Sequence, residues 1–246
     1  MLKQNKPNWC VGCGNYGILA ALKKALSDLN LEPHNTVVIG GIGCGGMLPY
    51  WLHTYSFIGL HGRALAIATG IKLSKSTLHV IVVAGDGDTY GIGMNHFINC
   101  ARRDVNILCI VSNNGVYGLT KGQASPTAPR GFQSPTTPNG NPYNGINPLN
   151  LALASGCNFV SRGYAGNVAH LIELIKQGIS HKGFALLDVL QPCTTFNKQF
   201  NYAYYQEKTK PIEINNINSD IFVAYKLANI DTNIPIGIYY KKKYEE

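Results

Sequence analysis

Ile18, Leu22, Leu26 and Leu29 recur at helical spacing directly after the polar pair Gly14-Asn15, which predicts a helix near the start of the chain. Glu32-Pro33-His34-Asn35 breaks that pattern, and the β-branched run 36–39 reads as a short strand leading into glycine. A second helix fits 64–75. The apolar run 78–84 (LHVIVVA) reads as a buried strand that ends directly in Gly85-Asp86-Gly87-Asp88. A helix over roughly 92–103, a strand at 106–112 and the turn Asn113-Asn114-Gly115 come next. Residues 121–148 are rich in proline and read as one long loop. A helix near 148–155, a strand near 157–161, an amphipathic helix at 166–179 and a strand at 184–190 follow.

Alternation of fully apolar strands with helices predicts an α/β fold, a mostly parallel sheet with helices on both faces. The expected organisation is one domain over 1–196 and a C-terminal extension over 197–246. The extension is polar, rich in Tyr and Asn, and expected to be peripheral rather than a second core.

Composition narrows the function classes. The 246 residues, 45% hydrophobic, are enough for one sizeable core. No apolar run reaches membrane-spanning length, and the first residues lack the apolar core of a signal peptide, so the expectation is a soluble, cytoplasmic protein without a membrane partner. The formal net charge of +8 suits nucleic acid, an acidic protein or phosphorylated ligands equally. No helix carries a basic stripe with interleaved aromatics, and Lys241-Lys242-Lys243 reads as a solvated tail, so no nucleic-acid partner is expected.

Candidate chemistry begins at the strand ends, because ligands of such sheets sit beyond the carboxyl ends of the strands. Asp86 follows one buried strand and Asn114 follows the next. Glycines flanking Asp86 let backbone amides approach a diphosphate while the carboxylate holds a hard cation. Asn114 offers an amide oxygen and Val116 a carbonyl, and two or three protein oxygens plus diphosphate suit Mg²⁺. A nucleotide-binding or purely structural turn is the competing reading.

Seven cysteines, an odd number, argue against a disulfide framework. Cys10 and Cys13 form a CxxC, a pattern open to zinc, a redox dithiol or half of a cluster site. No second close pair exists for zinc. Cys44 and Cys193 each lie in a loop at a strand end, so four thiolates from separate loops suffice for a [4Fe–4S] cluster. Cys100, Cys109 and Cys157 fall inside helix or strand segments and read as small buried hydrophobes.

WCVGCGNYGIL, GGIGCGG, HGRALAIATGIKLS, GDGDTYGIGMNHF, ARRDVNI, NNGVYGLTKGQASPT, RGYAGNVAHL and DVLQPC-TTFN are similar to stretches of 2-oxoacid:ferredoxin oxidoreductase β subunits of the archaeal two-subunit type. The likeness covers 9–205 and recurs at 234–240. It implies a thiamine-diphosphate-binding fold and CoA-dependent oxidative decarboxylation of a 2-oxoacid, with electrons passing through a [4Fe–4S] cluster to ferredoxin. It further implies Cys10, Cys13, Cys44 and Cys193 as cluster ligands, and Asp86, Asn114 and Val116 as ligands of Mg²⁺. The cofactor is expected against Ile42, Gly43, Cys44, Gly45, His61, Arg63, Gly85, Asp86, Gly87, Asp88, Asn114, Val116, Tyr117, Gly118, Leu119 and Thr120. His61 and Arg63 equally suit a structural role at a helix start, and Lys121 is either a group approaching the active site or an ordinary surface lysine. The resemblance implies an α subunit as partner, which supplies the carboxylate that activates the thiamine ring.

Met47 departs from the pattern. Related β subunits often carry Lys or Arg three residues after this cysteine, a partner for the substrate carboxylate, and an apolar side chain supplies no such charge. A non-redox thiamine-dependent decarboxylase, a zinc protein contacting nucleic acid and an inactive paralogue are the competing readings. The cysteine set argues against the first, and the GDG and NN turns have no purpose in the second.

Overall fold

The structure, a computed structural model, describes residues 6–212 and 219–243. The first helix, α1 (Asn15–Asp28), leads to β1 (Thr36–Gly40), β2 (Tyr55–Ile58), α2 (Ala64–Ser74) and β3 (His79–Gly85). A π-helical turn over Gly87–Ile92 precedes α3 (Met94–Arg102), β4 (Ile107–Asn113) and a short hairpin of β5 (Val116–Tyr117) and β6 (Gln123–Ala124). Then come α4 (Pro148–Ala154), β7 (Phe159–Tyr164), α5 (Val168–Ser180) and β8 (Phe184–Leu190). The described chain finishes with α6 (Tyr202–Lys208), β9 (Thr209–Pro211), α7 (Ile221–Ala228) and β10 (Ile234–Lys241).

Among the described residues the main sheet has the strand order β2-β1-β3-β4-β8-β7-β10-β9. Pairing is parallel from β2 through β7, and β10 lies antiparallel to β7. The mostly parallel α/β expectation therefore holds. Side chains alternate across the pleat, so each strand feeds two core layers. Val37, Ile39, Val82 and Val111 pack with Leu65 of α2, Phe97 of α3 and Leu149 of α4. Val38, Ile81, Val83 and Ile110 pack on the other face with Ile18 and Leu22 of α1 and Leu171 and Ile175 of α5. With both faces covered, strands read as continuous apolar runs. Among the described residues no helix is long and apolar enough to cross a membrane.

Beyond the short β5–β6 hairpin, whose second strand falls inside the expected loop 121–148, four details depart from the sequence reading. The helix expected from about residue 92 begins at Met94, because Gly93 N donates to Asp88 O (2.9 Å) and closes a π-type turn ahead of it. Strand β2 has no counterpart in the sequence pattern; Tyr55, Ser56 and Phe57 are exposed, so this edge strand has no buried face to give alternation. Strand β7 runs on past 161 because Arg162, aligned with Asp188 of β8, donates Nε to its Oδ2 at 3.0 Å. Burial works against the Arg162 charge, yet Asp188 and the neighbouring tyrosines outweigh it and raise the guanidinium further.

The segment after 196 is the fourth departure, since it is peripheral only in part. Strand β10 joins the main sheet and buries Ile236, Ile238 and Tyr239. It covers the open edge of β7, which would otherwise present unpaired backbone groups. Tyr239 is fully buried, and its hydroxyl bonds the Pro235 carbonyl. Replacing Tyr239 by Ala is expected to cost about 3–5 kcal/mol of unfolding free energy, the range for truncating a large buried aromatic. Denaturant unfolding measures this; an unchanged midpoint would mean that β10 only decorates the sheet.

Candidate active site

Strand β3 delivers Asp86 to the carboxyl edge of the sheet, where it is 1% exposed. Its Oδ2 accepts three hydrogen bonds: from Gly115 N at 3.0 Å, from Ser125 Oγ at 2.5 Å and from Thr127 Oγ1 at 2.5 Å. Burial pushes the carboxyl pKa up, while these donors and the Gly87 amide work against it. The Gly115 bond brings the Asn114 loop against Asp86, so two of the three expected magnesium ligands lie on adjoining segments. The Asn114 side chain forms an Asx turn, its Oδ1 accepting from Val116 N at 3.0 Å, and its Nδ2 donates to Gln191 Oε1 at 2.8 Å. Gly115 takes φ +74°, the left-handed conformation that glycine adopts without strain.

Two residues on, Asp88 serves a different set of loops. Its Oδ1 accepts from Ile42 N (3.0 Å) and Gly62 N (2.8 Å) and meets His61 Nδ1 at 2.5 Å. Asp88 thereby ties the glycine-rich loop after β1 to the HGR turn before α2. Tyr117 lies over this turn, with its hydroxyl donating to Gly87 O at 3.3 Å. Burial, then Asp86 and Asp88, raise the Tyr117 phenol.

The four loop cysteines converge from three segments that are bonded to one another. Trp9 Nε1 donates to Cys44 O (2.9 Å), and Gly14 N donates to Pro192 O (3.1 Å). Thr194 Oγ1 donates to Val11 O (2.8 Å), and Gln191 Nε2 reaches Cys13 Sγ at 3.5 Å. Burial pushes the Cys13 thiol up to about 12; the Asn15 backbone opposes this, and the charges of Cys44, Cys193 and Cys10 add to it. Burial also raises Cys44, with Cys193 and Cys10 contributing. Cys13 and Cys44 thus each lie within electrostatic reach of Cys10 and Cys193. Among the described residues no group of three or more His, Cys, Asp or Glu stands as close together as ligands of a single ion do. Cys100, Cys109 and Cys157 are buried, as the sequence suggested.

The other expected residues divide by position. Gly45 of the cysteine loop packs against Ser112, whose Oγ a side chain at 45 would approach to 2.7 Å. Gly118 lies close to Cys44, since a Cβ there would stand 3.5 Å from its Sγ. Arg63 Nη1 bonds His96 Nε2 at 2.7 Å in an exposed pair. Leu119, Thr120 and Lys121 are exposed around the hairpin turn, where Lys121 takes φ +83°. Met47 packs against the layer that contains Leu48 and Trp51 and brings no charge to the site.

Sequence reasoning missed Ser125, Thr127 and Gln191. The first two sit in a loop whose polar residues look like any solvated turn. Gln191 adjoins Cys193 in the QPC stretch and gives no separate signal. Asn15 reads in sequence only as a helix start; it is fully buried, with Oδ1 accepting from Ser112 Oγ (2.8 Å) and Nδ2 without a hydrogen-bond partner among the described residues.

Comparison with known proteins identifies the family and the fold. Residues 41–189 match the family model of the thiamine pyrophosphate enzyme C-terminal TPP binding domain. Residues 193–246 match the model of the C-terminal part of the pyruvate ferredoxin oxidoreductase β subunit. The 2-oxoacid:ferredoxin oxidoreductase β subunit of Saccharolobus solfataricus is 44% identical over 98% of this chain and 84% of its own length. The β subunit of 2-oxoacid:ferredoxin oxidoreductase 1 from Aeropyrum pernix is 43% identical over 97% of this chain and 80% of its own length. The solved 2-oxoglutarate:ferredoxin oxidoreductase of Magnetococcus marinus, with 2-oxoglutarate, coenzyme A and succinyl-CoA bound, superposes with a TM-score of 0.95 at 38% identity, over 98% of this chain and 83% of that one. With a matching fold and this identity over nearly its whole length, the chain belongs to the family of 2-oxoacid:ferredoxin oxidoreductase β subunits.

Proposed function

We propose that this β subunit acts with an α subunit in the CoA-dependent oxidative decarboxylation of a 2-oxoacid and passes the electrons through one [4Fe–4S] cluster to ferredoxin. The observation that carries the reading is the double engagement of Gln191. Its Oε1 accepts from Asn114 at the oxygen-donor site, and its Nε2 reaches Cys13 Sγ at the cysteine site. One side chain therefore holds a cation-and-diphosphate site against a four-thiol site, an adjacency that a two-electron donor feeding a one-electron carrier requires.

The residues fit the proposed groups. Asp86, Asn114 and the Val116 carbonyl offer the hard oxygen donors that Mg²⁺ shares with a diphosphate. Cys10, Cys13, Cys44 and Cys193 offer four thiolates, and a cubane spreads its ligands over separate irons, so they stand further apart than ligands of one ion. The unpartnered Asn15 Nδ2, buried beside the cysteine segment, is a donor that an anionic group satisfies. When bound, thiamine diphosphate supplies the electron sink for decarboxylation and the cluster the one-electron outlet. The protein holds and orients: Asp88 fixes the Ile42–Gly45 and His61–Arg63 loops, which would wall the cofactor, and Tyr117 closes over Gly87.

The surface supports the partners. Leu60, Ile92 and Leu119 are exposed around the site, on or beside the loops that Asp88 holds or on the neighbouring hairpin, and would be covered by an α subunit. Cys10 is exposed and Val11 is 95% exposed, so the cysteine site reaches the surface where an electron acceptor docks. The +8 charge would steer an acidic ferredoxin toward it. Seven free cysteines fit a reducing, cytoplasmic setting.

Two experiments test the reading on protein co-expressed anaerobically with its α subunit. Iron and sulfide analysis with EPR after dithionite should find about four of each per β chain. Cys→Ser at 10, 13, 44 or 193 should abolish the signal, whereas Cys157→Ala should keep it. Zinc in place of iron would refute the redox role. For the cation site, Asp86→Asn should lower kcat/KM by about a hundredfold or more by misplacing the cofactor, with thiamine diphosphate lost on gel filtration in Mg²⁺; retained binding and turnover would move the cation elsewhere.

A further inference from the structure

We propose that Ser125 and Thr127 are positioning residues for the cation site, and that their hydroxyls determine which oxygen of Asp86 meets the metal. This rests on the assignment of Asp86 to Mg²⁺ above. Both residues lie in the long loop after the hairpin, and neither contacts the cation in this reading.

Oδ2 of Asp86 receives Gly115 N, Ser125 Oγ and Thr127 Oγ1, so its lone pairs are committed. Oδ1 takes none of these three donors and is the oxygen available to a cation, with the Gly87 amide as the carboxylate's remaining donor. The Ser125 hydroxyl accepts from Thr127 N at 3.3 Å, so its own proton stays turned toward the carboxylate. Thr127 Oγ1 has a single proton and three acceptors within reach, Asp86 Oδ2 at 2.5 Å, Asn113 Oδ1 at 2.8 Å and Ser125 Oγ at 3.1 Å. The shortest contact and the negative charge draw that proton to Asp86.

Behind Thr127 the network is rigid. Asn113 Nδ2 donates to Asp188 Oδ1 at 3.0 Å, and the same oxygen accepts from Tyr90 Oη at 3.1 Å. Arg162 holds the other carboxylate oxygen, and Asp188 is fully buried. Asn113 Oδ1 is thereby held beside Thr127 by a buried chain that ends in an ion pair, and Thr127 itself is tied down by its amide, which donates to Ser125 Oγ. The consequence is a one-oxygen, fixed-angle carboxylate ligand. Mg²⁺ demands that strictness, whereas Ca²⁺ accepts carboxylates through both oxygens in looser geometry.

The test uses the αβ holoenzyme stripped with EDTA, then titrated with MgCl₂ or CaCl₂ at fixed thiamine diphosphate while its circular dichroism band is followed. In Thr127→Val the Mg²⁺ half-saturation should rise by roughly 10- to 100-fold, the usual effect of losing a partner that orients a ligand. The Ca²⁺-to-Mg²⁺ half-saturation ratio should fall, because the freed carboxylate can turn both oxygens to the metal. Thr127→Ser should restore both values. A merely structural role moves the melting temperature but not the cation ratio. If T127V does not fold, Ser125→Ala removes a donor from the same oxygen and carries the same expectation. Wild-type values of half-saturation and ratio in folded T127V or S125A would overturn the inference while leaving the cation site standing. Wild-type protein that binds thiamine diphosphate without any divalent cation would overturn the site and the inference together.

Discussion

A carboxylate stripped of water must be surrounded by donors, and the carboxyl edge of this sheet is organised around two such groups on a single turn. Asp86 gathers the Asn114 turn and the 125–127 loop; Asp88 gathers the loop after β1 and the turn before α2. Each group faces a desolvation cost of several kcal/mol unless its lone pairs are met. Loops with no helix or strand of their own thereby acquire fixed positions. The π-helical turn over Gly87–Ile92 lets both carboxylates be buried two residues apart, each reaching a different pair of segments.

The parallel sheet supplies the other half of the arrangement. Strands β1, β3, β4 and β8 end at the same edge, so Cys44, Asp86, Asn114 and Cys193 meet there from positions spread along most of the chain. Gln191 joins the end of β8 to both the Asn114 turn and the CxxC segment. Beneath them the Arg162–Asp188 pair, with Tyr90 and Asn113, locks β7, β8 and β4 in register. Replacement of a buried ion pair by apolar residues is often neutral in stability, so its retention here is better explained by what it holds above it than by the free energy of the pair.

Much of this is legible in sequence, for identifiable reasons. The run 184–190 matches β8 residue for residue, and 78–84 misses β3 by a single position, because strands covered on both faces read as nearly continuous apolar runs, interrupted in β8 only by Asp188. The positions of Asp86 and Asn114 at the carboxyl edge are legible because glycine and a turn-forming residue directly follow a buried strand. Legibility fails where a residue's reason lies across the fold. Arg162 looks like the end of a strand until Asp188 is beside it; Tyr239 looks peripheral until β7 needs an edge partner. Asp88 Oδ1 takes Ile42, His61 and Gly62 as partners, a set of segments that its place in the GDGD turn does not announce. Ser125 and Thr127 are invisible because a hydroxyl aimed at a buried carboxylate and one aimed at water are written with the same letters.

The glycine-rich loop around Cys44 shows how easily one composition hides two purposes. Gly46 is required by the loop's own folding: a Cβ there would lie 1.8 Å from the Gly41 carbonyl oxygen, so no larger residue fits. Gly43 is different. It takes φ +128°, a conformation reserved almost wholly for glycine, yet a Cβ there would meet nothing within 4 Å. Backbone shape, not crowding, is what this position, directly before Cys44, demands. The loop therefore closes on itself through one glycine and turns through another. Cys44 lies within electrostatic reach of Cys13 and Cys193 while its carbonyl is bonded to Trp9. A single cysteine placed this way links the thiamine-type edge of the sheet to a cysteine site that the sheet topology alone would not produce.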